Sequence, residues 1–372
     1  MKKKNLKYFI NSVLHIDIIL LILIILISAL SLFITWSISE TYNYNLIKHK
    51  LVQFLIGFII MIIASQIPPN LYKKYSFIFY LFSIFLLIMV NFFGYKTKGA
   101  KRWLNINFIK FQPSEISKVS VPLIITQILN KNKYPINIKI FFETIILILI
   151  PALLVAKEPD LGTAILISFS GLIMLFLGGL YWKVIIKSII IFIISIPFTW
   201  VLLLHDYQRE RMFMLTKSNY DALGKGYHIF QSKISIGSGG ILGKGWKNAT
   251  QAQLNFLPEK HTDFIFSVLA EEFGFIGILL FIILYMLLII RGIYLSLNCK
   301  NIFNKMIIGG IILVLFLCVF INMSMVSGLL PIVGIPLPLV SYGGTSFVVV
   351  MTNFGIIMSM YTYDLKKKYK KI

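Results

Sequence analysis

Ten stretches of this chain are apolar over the length that a helix needs to cross a lipid bilayer: 16–38, 51–67, 75–93, 113–130, 140–156, 161–180, 184–204, 264–290, 306–326 and 342–362. A spanning helix takes about 17–25 residues. Inside the hydrocarbon every backbone N–H and C=O must be satisfied within the protein, which leaves helices or a closed barrel. Runs of this length read as helices. Composition agrees, because 58% of the residues are hydrophobic and only 13% charged, too few charges to cover a soluble protein. The expectation is an all-α polytopic membrane protein of about ten transmembrane helices, one domain over 1–372. The lysine-rich start resembles a signal peptide, but the run from Ile16 to Ile38 is too long for a signal h-region and reads as the first span.

The formal net charge of +22 would suggest nucleic acid in a soluble protein, but here the lysines gather at the edges of spans. An even number of spans puts both termini on one side. That side holds Lys2, Lys3, Lys4 and Lys7, the five tail lysines from Lys366 to Lys371, and the loops around Lys73, Lys131, Lys183 and Arg291. It carries 19 Lys and Arg against 8 in the short loops opposite. Positive residues favour the cytoplasm, so both termini are expected there. One long loop, 205–262, is then external between the seventh and eighth spans. Its aromatics and glycines predict that it folds back onto the bundle. Five of the 8 opposite cations fall in one short loop, Gly94 to Gln112. Cations on that side suit an anionic partner such as a lipid pyrophosphate, although a solvated loop would look the same.

Ionisable residues near or inside spans are costly and mark function. Glu115 and Lys118, in Gln112-Pro113-Ser114-Glu115-Ile116-Ser117-Lys118, share one helix face at i,i+3 spacing, as a site or as a neutralising pair. Lys157-Glu158-Pro159-Asp160-Leu161-Gly162 is a tight external turn in which Asp160 could cap the next helix; Glu158 has no such local use. Leu257 to Phe266 includes Lys260, His261, Thr262 and Asp263 at the mouth of a long apolar helix. Thr262 or Asp263 could be an N-cap, but a partly desolvated carboxylate there also suits a general base. Glu271 and Glu272 lie two turns deeper, and at least one is expected to face the interior. The glycine-rich run 236–245 fails the spacing of a phosphate loop and reads as a close-packed turn. Three prolines and four glycines between Ser327 and Ser346 break the backbone at membrane depth, which survives only if buried or lining a cavity. Cys299 and Cys318 have no metal-ligand spacing.

Together these segments resemble the SEDS family (shape, elongation, division and sporulation; RodA, FtsW, SpoVE), and its RodA branch most closely. The resemblance lies in Ala100-Lys101-Arg102-Trp103-Leu104, Gln112 to Glu115, Lys157 to Thr163, Gly224 to Gly245, Leu257 to Phe266 and Pro331 to Ser346, in order along nearly the whole chain. Leu269-Ala270-Glu271-Glu272 and Pro336-Leu337-Pro338-Leu339-Val340 point to the branch, and Thr345 departs from the more usual serine.

The resemblance implies an inverting peptidoglycan glycosyltransferase in the bacterial inner membrane, active on its periplasmic side during elongation and rod-shape maintenance. Its substrate would be lipid II, the undecaprenyl-pyrophosphate-linked disaccharide-pentapeptide. Asp263 would be catalytic, and Lys101, Arg102, Glu115, Lys118, Glu158, Asp160, Lys260 and His261 would bind substrate. A divalent cation, Mg or Mn, is a further candidate for the pyrophosphate. A class B penicillin-binding transpeptidase, other elongation-complex membrane proteins and membrane lipid are the expected partners, with no nucleic acid. The alternatives are a lipid II flippase and a non-catalytic scaffold. A flippase needs polar groups across the whole membrane, whereas Glu115, Lys118, Glu158, Asp160 and Asp263 all map to the outer end.

Overall fold

A computed structural model describes residues 15–39, 45–97, 100–106, 109–131, 136–202, 209, 227–257 and 259–369. In chain order the helices are α1 (Ile18–Ile38), α2 (Asn45–Gln66), α3 (Pro69–Phe93), α4 (Pro113–Lys131), α5 (Ile138–Lys157), α6 (Leu161–Leu177), α7 (Trp182–Leu202), α8 (Tyr227–Ser238), α9 (Thr250–Gln253), α10 (Ile265–Asn298), α11 (Ile302–Val326) and α12 (Gly344–Tyr369). Each of the ten apolar stretches holds a helix. Seven of these helices are long and apolar enough to cross a membrane: α1, α2, α3, α5, α10, α11 and α12. α4 has lower hydropathy because Ser114, Glu115, Ser117 and Ser120 line its buried side. Exposed Ile, Leu and Phe cover the outside of the bundle. Such a surface suits lipid and not water.

α2 and α12 approach closely through glycine. A Cβ on Gly355 would stand 2.5 Å from Met61 O, so no other residue fits there without displacing backbone. Small residues at such crossings replace the hydrophobic drive that lipid cannot supply. At the end of the bundle that holds both termini, Arg291 donates to Asp17 at 2.6 and 3.1 Å. Asp17 also caps α1 through Leu20 N at 2.9 Å. His15 bonds Thr362 at 2.9 Å, tying the start of the described chain to α12. Helix ends assigned to one side by their charges therefore do meet.

The all-α membrane bundle holds, with one small addition: the basic loop before α4 is a three-stranded antiparallel sheet of β1 (Tyr95–Thr97), β2 (Ala100–Ile106) and β3 (Ile109–Phe111), in the order β1-β2-β3. The strands are short, and the surrounding apolar runs hide their alternation. Two local expectations need correction. The span assigned to 264–290 extends to Asn298 and is broken at Gly274, where φ is +63° and ψ −160°. Lys50, expected in a short external loop, lies in the second turn of α2 and is 1% exposed. Its ammonium finds three acceptors inside the bundle, which a loop assignment could not anticipate.

Of the long loop 205–262, the described part packs back as predicted. The break at Gly274 frees helix backbone to pair with the glycine-rich run. Lys244 N donates to Glu271 O at 2.9 Å, Gly245 N to Glu272 O at 3.0 Å and Phe275 N to Gly240 O at 2.9 Å. Only glycine adopts φ near +60° freely, and a Cβ at Gly274 would also stand 2.3 Å from Gly243 N.

Candidate active site

Polar groups converge at the end of the bundle opposite Asp17 and Arg291. Pro113 opens α4, where its missing N–H costs nothing. One turn on, Lys118 Nζ donates to Glu115 Oε1 at 2.6 Å, with the side chains only 11% and 5% exposed. The pair lines a cavity of about 780 Å³, counting its open mouth. Ile311 and Cys318 of α11, Phe354 of α12 and the segment Ile335 to Leu339 form its other walls. That segment, inside the proline- and glycine-rich signature, is neither helix nor strand. The cavity is therefore mostly apolar, with one charged pair in its wall.

Asp263 stands in the turn before α10 and is half-buried. The helix N-cap falls on Phe264, which makes no side-chain cap bond, so Asp263 is not the cap of α10. Its carboxylate lies beside the signature segment: a Cβ on Gly334 would be 3.8 Å from Asp263 Oδ2. Asn322 Nδ2 bridges Asp263 O at 3.1 Å and Ile335 O at 2.7 Å, which fastens the turn to the cavity wall. Ser341 Oγ donates to Thr262 O at 2.5 Å, and Tyr342 N to His261 O at 2.8 Å. Three consecutive residues, His261 to Asp263, are thus held by their backbone carbonyls. The Asp263 carboxylate itself lies near Gly334, one residue before the wall segment that begins at Ile335.

The turn between α5 and α6 forms a second polar group. Asp160 caps α6 by accepting from Thr163 N at 3.3 Å. It also accepts from Gln112 Nε2 at 3.2 Å. Arg102 reaches the same turn, donating from Nε to Glu158 O at 3.3 Å and from Nη2 to Pro159 O, with Asp160 Oδ2 3.8 Å away. Register explains the reach. Tyr95 pairs with Trp103 and Lys96 with Lys101, so Arg102 is the extra residue of a β-bulge. Bulges re-aim a side chain out of the regular alternation. Glu158 is 2% exposed, and neither of its carboxylate oxygens has a hydrogen-bond partner. Burial pushes its pKa up to about 8, with help from Asp160 and against Arg102, so it holds its proton at neutral pH.

The other expected site residues divide. Lys101 is exposed on β2. Lys260 is buried and spends its ammonium on Ala252 O at 2.7 Å and Asn255 Oδ1 at 2.6 Å, which folds its own loop. His261 is half-buried with Nδ1 unpartnered, and burial, Lys260 and Lys50 lower its pKa to about 4. The structure thus places Glu115 and Lys118 in the wall of one cavity, and Asp263 beside Gly334, next to the wall segment that begins at Ile335. It gathers Arg102, Glu158 and Asp160 at a neighbouring turn, and it turns Lys260 inward.

Glu271 and Glu272, of which at least one was expected to face the interior, are both fully buried. Glu271 accepts from Lys244 at 2.7 Å, from Thr250 and Ser235 at 2.9 Å and from Gln251 N at 3.3 Å. Glu272 accepts from Ser37 and Lys247 N. They clasp the 227–253 segment to α10. Asn322 was not singled out from sequence, although a polar amide in the apolar run 306–326 was a usable signal. Among the described residues, no three His, Cys, Asp or Glu gather to hold a divalent cation, and Arg102 already stands beside Asp160.

Comparison with known proteins agrees with this architecture. Residues 11–366 match a family model described as cell cycle protein, of the FtsW, RodA and SpoVE group. The chain is 46% identical over 359 residues to the peptidoglycan glycosyltransferase MrdB of Escherichia coli, covering 96% of each. It superposes with a TM-score of 0.82 and 26% identity on a chain from a peptidoglycan synthase complex, solved to show how polymerization and crosslinking are coordinated. That match covers 94% of this chain and 98% of the other. The rod shape determining protein RodA of Thermus thermophilus matches with a TM-score of 0.71 at 23% identity, covering 94% and 97%, and speaks for the fold alone.

Proposed function

The chain belongs to the family of FtsW, RodA and SpoVE proteins, and on that premise we infer that it is a peptidoglycan glycosyltransferase that polymerises lipid II for cell elongation. One observation carries the reading: a largely apolar cavity has a buried ion pair in its wall, and the Asp263 carboxylate lies beside Gly334, next in sequence to the wall segment Ile335 to Leu339. A polyprenyl pyrophosphate sugar has an apolar tail for such a cavity and an anionic head for the cations around it. The acceptor hydroxyl attacks the anomeric carbon, Asp263 takes its proton, and the pyrophosphate departs with the electron pair of the C–O bond. A single displacement inverts the anomeric centre, with base and leaving group on opposite faces of the sugar.

The position of buried charge supports polymerisation over flipping. Among the described residues, every fully buried charged side chain except Asp17 lies at the end opposite the termini. On the charge asymmetry of the loops, that end faces the periplasm and the chain spans the bacterial inner membrane. The resemblance to a chain of a synthase complex supports a transpeptidase partner, which we assign to the class B penicillin-binding proteins. Incubating the purified full-length protein with labelled lipid II, with and without its cognate transpeptidase, tests the reading. The expected product is a ladder of glycan strands. If neither arm polymerises while lipid II crosses vesicles, the flippase reading replaces this one.

For the pyrophosphate, Lys101 is an exposed cation of the sheet, whereas Arg102 is engaged with the 158–160 turn. Lys101→Ala should raise KM for lipid II roughly tenfold, the scale of one charge-assisted contact, without changing folded yield. Arg102→Ala should lower yield and activity together, because it unpins two carbonyls. Steady-state kinetics beside detergent-solubilised yield measures both, and identical behaviour of the two variants would contradict the assignment.

A further inference from the structure

Lys50 is 1% exposed, and every acceptor around its ammonium is neutral: Ser31 O at 3.2 Å, Thr35 Oγ1 at 2.5 Å and Val340 O at 2.9 Å. Burying a cation without a counter-ion is costly, and a methionine would fill nearly the same volume without that cost. The buried amine is therefore explained by what it holds. Val340 O also accepts from Ser31 Oγ at 2.9 Å, so α1 and α2 grip one carbonyl of the signature segment from two directions. The residue before it, Leu339, has φ +67°. A bulky side chain adopts that conformation only where its surroundings impose it.

The grip continues toward Asp263. Ser341, next after Val340, accepts from Leu337 N at 2.8 Å and donates to Thr262 O at 2.5 Å. Tyr342 N donates to His261 O at 2.8 Å. Lys50 is also close enough to His261 to depress its pKa. We propose that Lys50 is a positioning residue for glycosyl transfer: by holding Val340 it fixes the strained Leu339 turn, and through Ser341 and Tyr342 it fixes the 261–263 turn that aims the Asp263 carboxylate. The proposal rests on Asp263 as the base.

The test uses the purified full-length protein with labelled lipid II. Lys50→Met keeps the stem and removes the donors. It should lower kcat by about 10²-fold, the cost of displacing a reacting group by about an ångström, with KM within about twofold and no loss of thermal midpoint. Hydrogen exchange should speed up at 336–343 and 259–264 and nowhere else. Ser341→Ala should do the same more weakly, and the double variant should lose no more than Lys50→Met alone, because the two act in series. Ser341→Ala alone tests the relay if Lys50→Met does not fold. Unchanged kcat, additive losses, or a general loss of protection would each overturn the proposal. Asp263→Asn separates it from its premise. If that variant stays active while Lys50→Met speeds exchange only at the two turns, the anchoring stands and the base lies elsewhere.

Discussion

Asp263→Asn is expected to insert and fold like the parent, to bind lipid II, and to polymerise almost none of it. The substitution preserves size and removes only the proton acceptor. No helix cap is lost, because the N-cap of α10 is Phe264. The backbone scaffold is kept, since Asn322 holds the Asp263 backbone carbonyl and the neighbouring carbonyls are held by Ser341 and Tyr342. A sugar hydroxyl is a poor nucleophile until its proton is taken, and a positioned base contributes on the order of 10²–10⁴ in rate. The measurement is a polymerisation time course beside a lipid II binding assay. Near-parental rates would move the base to another carboxylate. Glu158 would then be a poor choice at neutral pH, because burial keeps it protonated, and Asp160 is committed to capping α6.

Charge reversal in α4 should have the second-largest effect. Glu115→Lys places two ammonium groups where the structure has a 2.6 Å ion pair at 5% and 11% exposure. Leaving a buried charge uncompensated costs about 3–5 kcal/mol, a large part of a typical stability of about 5–15 kcal/mol. Folded yield should collapse. The exchange Glu115→Lys with Lys118→Glu restores neutrality and should restore yield and thermal midpoint. Activity then separates two roles. If it returns with the fold, the pair only neutralises the cavity wall. We expect it not to return, because the pair lines the cavity proposed to receive the donor lipid and its polarity is then reversed. Yield that stays low in the exchanged variant would show that the pair depends on neighbours as well as on its own neutrality.

Hydropathy alone determined that the chain crosses the membrane about ten times. A bilayer leaves few ways to satisfy backbone, and a run of suitable length must be a helix wherever its neighbours lie. The glycine-rich run was legible as a close-packed turn and the proline-broken signature as a cavity wall, because those residues restrict local backbone whatever surrounds them. Other features depended on partners far away in sequence. β1 to β3 are too short for alternation to stand out beside long apolar runs, and the bulge that turns Arg102 toward Glu158 exists only in their register. Lys50 looked like a loop cation because its three acceptors come from α1 and from Val340, 290 residues on. The break at Gly274 is set by pairing with the 240–245 backbone, which no pattern inside α10 announces. Lys260 and Asp263, three residues apart in one motif, part company for the same reason: Lys260 meets Ala252 and Asn255, while Asp263 lies beside Gly334 of the signature segment. Sequence specifies which groups a turn carries, and hydrogen-bond partners brought from elsewhere in the chain decide which of them remain available for chemistry.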